Sequence, residues 1–136
     1  MNQTSPVLSS GQILSNNDLM AIFKCANMGG MRYSKRTNSL IIICDHTKNL
    51  YNDIWKGNIL HYTGMGKIGN QELLRGNKIL AESNSNGIEV YLFEVFTPRN
   101  YSYCGRVQLS DLPYQEIQND EQGTQRKVWM FPIKIL

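Results

Sequence analysis

Three long runs of strand-forming residues fill the second half of the chain and restrict it to a mostly β fold. Ile88 to Phe96 is introduced by the turn Asn84-Ser-Asn-Gly87, and Tyr101 to Leu109 follows Pro98-Arg-Asn100. Lys127 to Ile135 follows the acidic loop Asn119-Asp-Glu-Gln-Gly123. β-Branched and aromatic side chains fit a pleated, half-buried surface, and the polar punctuation between them marks turns. Pro132 lies inside the third run and has no N–H to donate, so that strand is expected at a sheet edge or a bulge. A fourth run, Leu40-Ile-Ile-Ile-Cys44, is continuously apolar, the pattern of a strand covered on both faces.

The first half is less regular. Residues 1–15 are rich in Ser, Asn and Gln and read as a flexible N-terminal arm. Asn16 or Asn17 is placed to cap a short helix from Asp18, with Leu19, Ile22 and Phe23 on one side. Gly29-Gly30 and the basic stretch Met31 to Thr37 precede the apolar strand. Residues 45–78 are polar and glycine-rich without clear periodicity, a pattern more often functional than structural. Tyr51, Trp55 and Tyr62 within it argue against disorder. The expected architecture is one domain, residues 16–136: a mostly β (α+β) curved sheet or barrel with one or two short helices.

Composition narrows the function. With 136 residues and 41% hydrophobic content the chain is large enough to bury a core. A net charge of +3 allows a nucleic-acid partner without proving one. Cys25, Cys44 and Cys104 are odd in number and share no CxxC spacing. That argues against a disulfide framework or a zinc site and favours a reducing cytoplasm. The N-terminus has no signal-peptide pattern, and the longest apolar run, Leu40 to Cys44, is far too short for a membrane span.

Catalytic patterns are missing. Glu82, Glu89, Glu94 and Asp111 have no lysine two positions on, so the carboxylate-lysine signature of a metal-dependent nuclease is not met. No HExxH occurs, and Gly66-Lys67 lacks the earlier glycine of a Walker A loop. Cys104 in its alternating strand reads as a small buried hydrophobe, and His46 and His61 as turn and surface residues. Neither a catalytic centre nor a cofactor nor a metal is expected.

The stretch Tyr51 to Gly66 concentrates two tyrosines, a tryptophan, one acid and three glycines. A base flipped out of a duplex wants aromatic rings on its faces, an acceptor for an exocyclic amine and close backbone approach. Tyr51 and Tyr62 suit the faces, Asp53 the cytosine amine, and Thr63 with Gly64 the wall. An equally simple reading is a tight turn with aromatics in the core, and composition and spacing do not choose between them. Arg32, Ser34, Lys35 and Arg36 mix cations with hydroxyls and suit phosphate contacts, or a solvated loop. Lys67, Asn77 and Lys78 border the same region.

The pattern Asp53…Gly57…Tyr62-Thr63-Gly64-x-Gly66, followed by Gly76-Asn77-Lys78, resembles the SRA (SET- and RING-associated, or YDG) domain. The nine-residue spacing from Asp53 to Tyr62 is that of the base-reading Asp in that family. Met28-Gly-Gly-Met-Arg32, Leu92-Phe-Glu-Val95, Pro113-Tyr-Gln-Glu116 and Arg126-Lys-Val-Trp-Met-Phe-Pro132 are similar to the branch found in McrA-type, modification-dependent HNH restriction endonucleases. The resemblance implies a PUA-like barrel that flips and reads 5-methylcytosine or a derivative in double-stranded DNA. It also implies a base pocket of Asp53, Tyr62, Thr63, Gly64 and Tyr51, and a targeting role for an HNH nuclease domain in a parent chain. Rival readings are a PUA-like reader of another mark, phosphorothioate DNA or modified RNA, and a small stand-alone nuclease.

Overall fold

A computed structural model describes residues 6–48 and 51–136. In chain order the elements are β1 (Ile13–Leu14), α1 (Asn16–Phe23), β2 (Met31–Ser34), β3 (Ser39–Asp45), β4 (Ile54–Lys56) and β5 (Ile59–Thr63). There follow α2 (Arg75–Ala81), β6 (Glu89–Thr97), β7 (Asn100–Leu109), β8 (Tyr114–Asn119) and β9 (Gln125–Ile135). The strands form one sheet in the order β2-β3-β6-β7-β9-β5-β4, with β1 added beside β7 and β8 beside β9. The mostly β architecture with two short helices is the expected one.

The apolar run of β3 lies parallel to β6 and is buried along its length. Its alternate residues serve two cores, because successive side chains on a strand point to opposite faces. Leu40, Ile42 and Cys44 join Leu60, Tyr62 and Phe131 on one side. Ile41 and Ile43 join Phe23, Tyr91 and Phe93 on the other. The sheet curls round the first core. β3 and β5 are separated by β6, β7 and β9 in the sheet order, yet the Tyr62 hydroxyl on β5 reaches the Ile43 carbonyl on β3 at 3.1 Å.

Helix α1 covers the second core with Leu19 and Phe23, both fully buried, each worth about 1.5–3 kcal/mol. Its cap is Ser15, not Asn16 or Asn17. The Ser15 hydroxyl accepts the Asp18 N–H while the Asp18 carboxylate accepts the Ser15 N–H, a reciprocal capping box. Asn16 is used elsewhere: its amide donates to the Asn27 carbonyl and accepts from Arg32. Part of the expected arm is tied to the sheet, since Gly11 N–H donates to the Tyr103 carbonyl and Tyr103 N–H to Gln12. Residues 1–5 of that arm lie outside the described residues.

Two expectations are corrected. The stretch 45–78 is not structureless: it holds the β4–β5 hairpin, turned at Gly57 with φ 62°, and enters α2. These elements are short, three, five and seven residues, so periodicity did not reveal them. Pro132 sits neither at an edge nor at a bulge. β9 pairs with β5 along one side, and along the other with β8 up to Met130 and with β7 from Ile133. The N–H and C=O of one strand residue point the same way, and the Pro132 carbonyl accepts from Ser110 N–H. The missing donor therefore faces the seam where β8 hands over to β7.

Candidate nucleic-acid interface

The residues singled out around Tyr62 do converge. Asp53, just before β4, accepts the Thr63 N–H at 2.7 Å through Oδ1. Burial pushes its carboxyl pKa above the usual value. Hydrogen bonds from the Thr63 backbone and side chain and from the Cys44 thiol, with the charge of His46, oppose that shift without cancelling it. An acid held among apolar strands in this way is the kind of group that marks a functional site.

Tyr62 and Tyr51 have different surroundings. Tyr62 is 3% exposed, and its hydroxyl lies 2.9 Å from the Gly30 carbonyl and 3.1 Å from that of Ile43. Burial first, then the neighbouring Asp53, pushes its phenol pKa well up. Tyr51 is only half-buried, and its hydroxyl donates to the Gly66 carbonyl at 3.3 Å. The more accessible of the two residues is thus Tyr51. Thr63 is buried; its hydroxyl accepts from Gln118 at 3.3 Å and lies 3.5 Å from the Met130 sulfur.

Beyond Thr63 the chain leaves the sheet, and buried side chains replace the ladder. The Gln71 amide donates to the Gly64 and Gly66 carbonyls and accepts the Trp129 N–H. Asn77 accepts the Met65 N–H at 2.8 Å and donates to the carbonyls of Met65 and Glu72. A Cβ on Gly64 would stand 2.7 Å from the Asn77 Oδ1, so this position requires glycine for close approach. Arg126, unassigned by sequence reasoning, is buried and donates to the carbonyls of Gly66 and Gly69. Its Nε and Nη2 have no hydrogen-bond partner among the described residues. The C-terminal block Arg126 to Pro132 was the available signal, but nothing in its spacing said which loop it would brace.

The expected phosphate contacts divide. Arg32 is buried; its guanidinium donates to Asn16 Oδ1 and to the carbonyls of Gly29 and Ala26, and it lies over the Tyr101 ring. Ser34 is buried between the Lys24 carbonyl and the Thr37 N–H. Arg32, Ser34 and Asn77 therefore spend their polar groups inside the fold, which corrects their assignment to phosphate. Lys35 and Arg36 are exposed in the β2–β3 turn. That turn adjoins Ser39, whereas Ile43 touches Tyr62, four residues or roughly 13 Å further along β3. Lys67 and Lys78 are exposed on the loop and helix beside Gly64. The acidic loop adjoins this one: Glu121 N–H donates to the Lys67 carbonyl. The Asp120 carboxylate is engaged by the N–H groups of Gln122 and Thr124.

The chain matches the family described as "ScoMcrA-like, SRA domain" over residues 10–136. No curated protein matches it. Among solved structures it is similar to the sulfur binding domain and SRA domain of ScoMcrA complexed with phosphorothioated DNA. There the TM-score is 0.78 at 17% identity, covering 96% of this chain and 40% of that one. It is similar to the Type IV phosphorothioation-dependent restriction endonuclease ScoMcrA, with TM-score 0.77 at 16% identity, covering 96% of this chain and 28% of that one. The SRA domain of SUVH5 in complex with methylated CHH DNA gives TM-score 0.72 at 22% identity, covering 100% of this chain and 94% of that one. The chain thus spans well under half of the two ScoMcrA chains. At these identities the likeness establishes the fold, and no helix among the described residues is long and apolar enough to cross a membrane.

Proposed function

The chain belongs to the ScoMcrA-like SRA domain family, and we propose that it reads modified cytosine in double-stranded DNA by taking one flipped base into the Asp53 pocket. The observation that carries this is the half-buried Asp53 carboxylate, fixed by the Thr63 N–H beside Tyr62 and Tyr51. Asp53 accepts the cytosine N4 amine, Tyr51 stacks from the open side, and Tyr62 with the Thr63-Gly64 backbone forms the floor. 5-Methylcytosine or a derivative is the mark. In this reading the domain is a targeting module for a modification-dependent HNH endonuclease; the cutting is done elsewhere. A solved ScoMcrA complex names a sulfur binding domain separately from the SRA domain, which favours a base over a backbone sulfur as the ligand of this one.

One buried methyl group is worth about 0.8 kcal/mol, roughly a fourfold preference. Binding of matched duplexes with and without 5-methylcytosine, and with a phosphorothioate link, should show at least that preference for the methylated duplex. Equal affinity for all three at several salt concentrations overturns the reading. Tighter binding of the phosphorothioate duplex would transfer the assignment to the backbone.

Phosphate contacts have their own signature. Lys67→Ala and Lys78→Ala should each weaken binding similarly across sequences and reduce the salt slope of log K by about 1. Arg32→Ala should instead lower the melting temperature and leave that slope unchanged. A changed slope for Arg32→Ala would return it to the interface.

A further inference from the structure

A second cluster of functional side chains lies behind the pocket, on strands far apart in sequence. Cys44, His46 and Glu94 each offer one ligand atom, and these atoms all lie within 4.8 Å of one another. The parallel pairing of β3 with β6 sets Cys44 directly beside Glu94. His46, two residues after Cys44, falls on the same face, and its N–H holds the register by donating to the Val95 carbonyl. His46 Nε2 lies 3.6 Å from Cys44 Sγ and 2.7 Å from Glu94 Oε2.

We infer that Cys44, His46 and Glu94 form a zinc site that staples β3 to β6 at the back of the base pocket. Thiolate, imidazole and carboxylate are the donor types that zinc takes, and a thiolate in the set disfavours magnesium or calcium. The geometry suits it. Zn–S near 2.3 Å and Zn–N near 2.0–2.1 Å at a tetrahedral angle put sulfur and nitrogen about 3.6 Å apart, the separation found between Cys44 and His46. The His46–Glu94 contact opens by well under 1 Å to admit the ion, and His46 is exposed, with room to move.

The surroundings supply the outer support that metal ligands need. Register along β6–β7 runs from Leu92↔Gly105 to Phe93↔Tyr103, so Cys104 is the extra residue of a bulge. Gly105, at φ 140°, accommodates it. The bulge turns the Cys104 thiol onto Glu94 Oε1 at 3.1 Å. The Trp55 indole N–H of β4 donates to Glu94 Oε2 at 3.2 Å. The Phe96 ring stacks on His46 at 4.8 Å and 13°. Sequence spacing hid the set, because Cys-x-His is too short a signature and Glu94 arrives only through the parallel pairing.

The test is direct titration of the chelator-treated chain with Zn²⁺, and with Co²⁺ as a spectroscopic substitute. One ion per chain is expected, with a thiolate-to-cobalt charge-transfer band. Cys44→Ser should abolish the band. His46→Ala, at an exposed position that the fold tolerates, should weaken Zn²⁺ at least tenfold. Cys104→Ser should keep the band and weaken the ion roughly ten- to a hundredfold, while Cys25→Ser should change nothing. No bound Zn²⁺ above a buffer blank, or binding indifferent to both Cys44→Ser and His46→Ala, overturns the site. The Cys44 thiol also bonds Asp53, so the DNA reading is measured separately with duplexes on His46→Ala, which leaves that thiol in place.

Discussion

Asp53→Ala should bring the methylated duplex down to the affinity of unmodified DNA, a loss that can reach roughly ten- to a hundredfold, while binding to unmodified DNA persists. A hydrogen bond to an ionised group contributes about 1.5–3 kcal/mol, and each 1.4 kcal/mol is tenfold. The loss should fall on the preferred duplex because only a flipped cytosine presents its N4 amine to this carboxylate. pH separates this role from a merely structural one. The folded chain raises the Asp53 pKa through burial, so the native state holds that proton more tightly than the unfolded chain. Stability from this group is full below the unfolded value and is lost as pH rises through the folded value. Binding runs the other way, since the ionised acceptor disappears as pH falls through the same folded value. Melting temperature and methyl preference should therefore change in opposite directions across one window. Asp53→Asn should flatten the stability slope, keep the acceptor for Thr63 N–H, and still lose the preference. If Asp53→Asn keeps full preference for the methylated duplex, the carboxylate does not read the base.

How much of this was legible in the sequence depended on the range over which each feature is determined. The β3 run and the three later strands were visible because burial on one or both faces writes a local pattern. β4 and α2 were not, because three and seven residues are too few to show a period. β8, whose side chains are mostly polar and exposed, gave no apolar signal. The stretch proposed as the pocket was legible as a motif, from Asp53 to Gly66, but its support was not. Gln71, Asn77 and Arg126 brace the Gly64 to Gly69 loop through backbone carbonyls, and a polar side chain aimed at a backbone looks in sequence like any surface residue. Arg32 shows the converse error. A cation after two glycines suggested phosphate, but its guanidinium ties the α1 region to β2. Charge in a sequence says what a residue offers, and only the fold says what has already taken it.

Tyr62 tests that distinction most sharply, because its hydroxyl is engaged inside the fold while its ring is proposed to form the pocket floor. Tyr62→Phe should lower stability by about 1 kcal/mol, the usual net worth of a hydrogen bond, and by up to about 3 kcal/mol if a buried carbonyl is left unpaired. For a domain of this size that is a drop of about 4 °C or more in melting temperature. The ring remains, so affinity for methylated DNA should hold within about threefold. Tyr62→Ala should be far more damaging. Its ring packs in the first core with Leu60, Leu92 and Phe131, and truncating a buried aromatic of this size costs about 3–5 kcal/mol. That is on the order of 15 °C, with the pocket floor lost and methyl preference gone even at temperatures where the chain stays folded. The pair of variants separates floor from reader. A Tyr62→Phe protein with unchanged melting but tenfold weaker methylated-DNA binding would mean that the hydroxyl leaves Gly30 and Ile43 to meet the base. The wall would then have to open much further than the closed arrangement at Tyr62 implies.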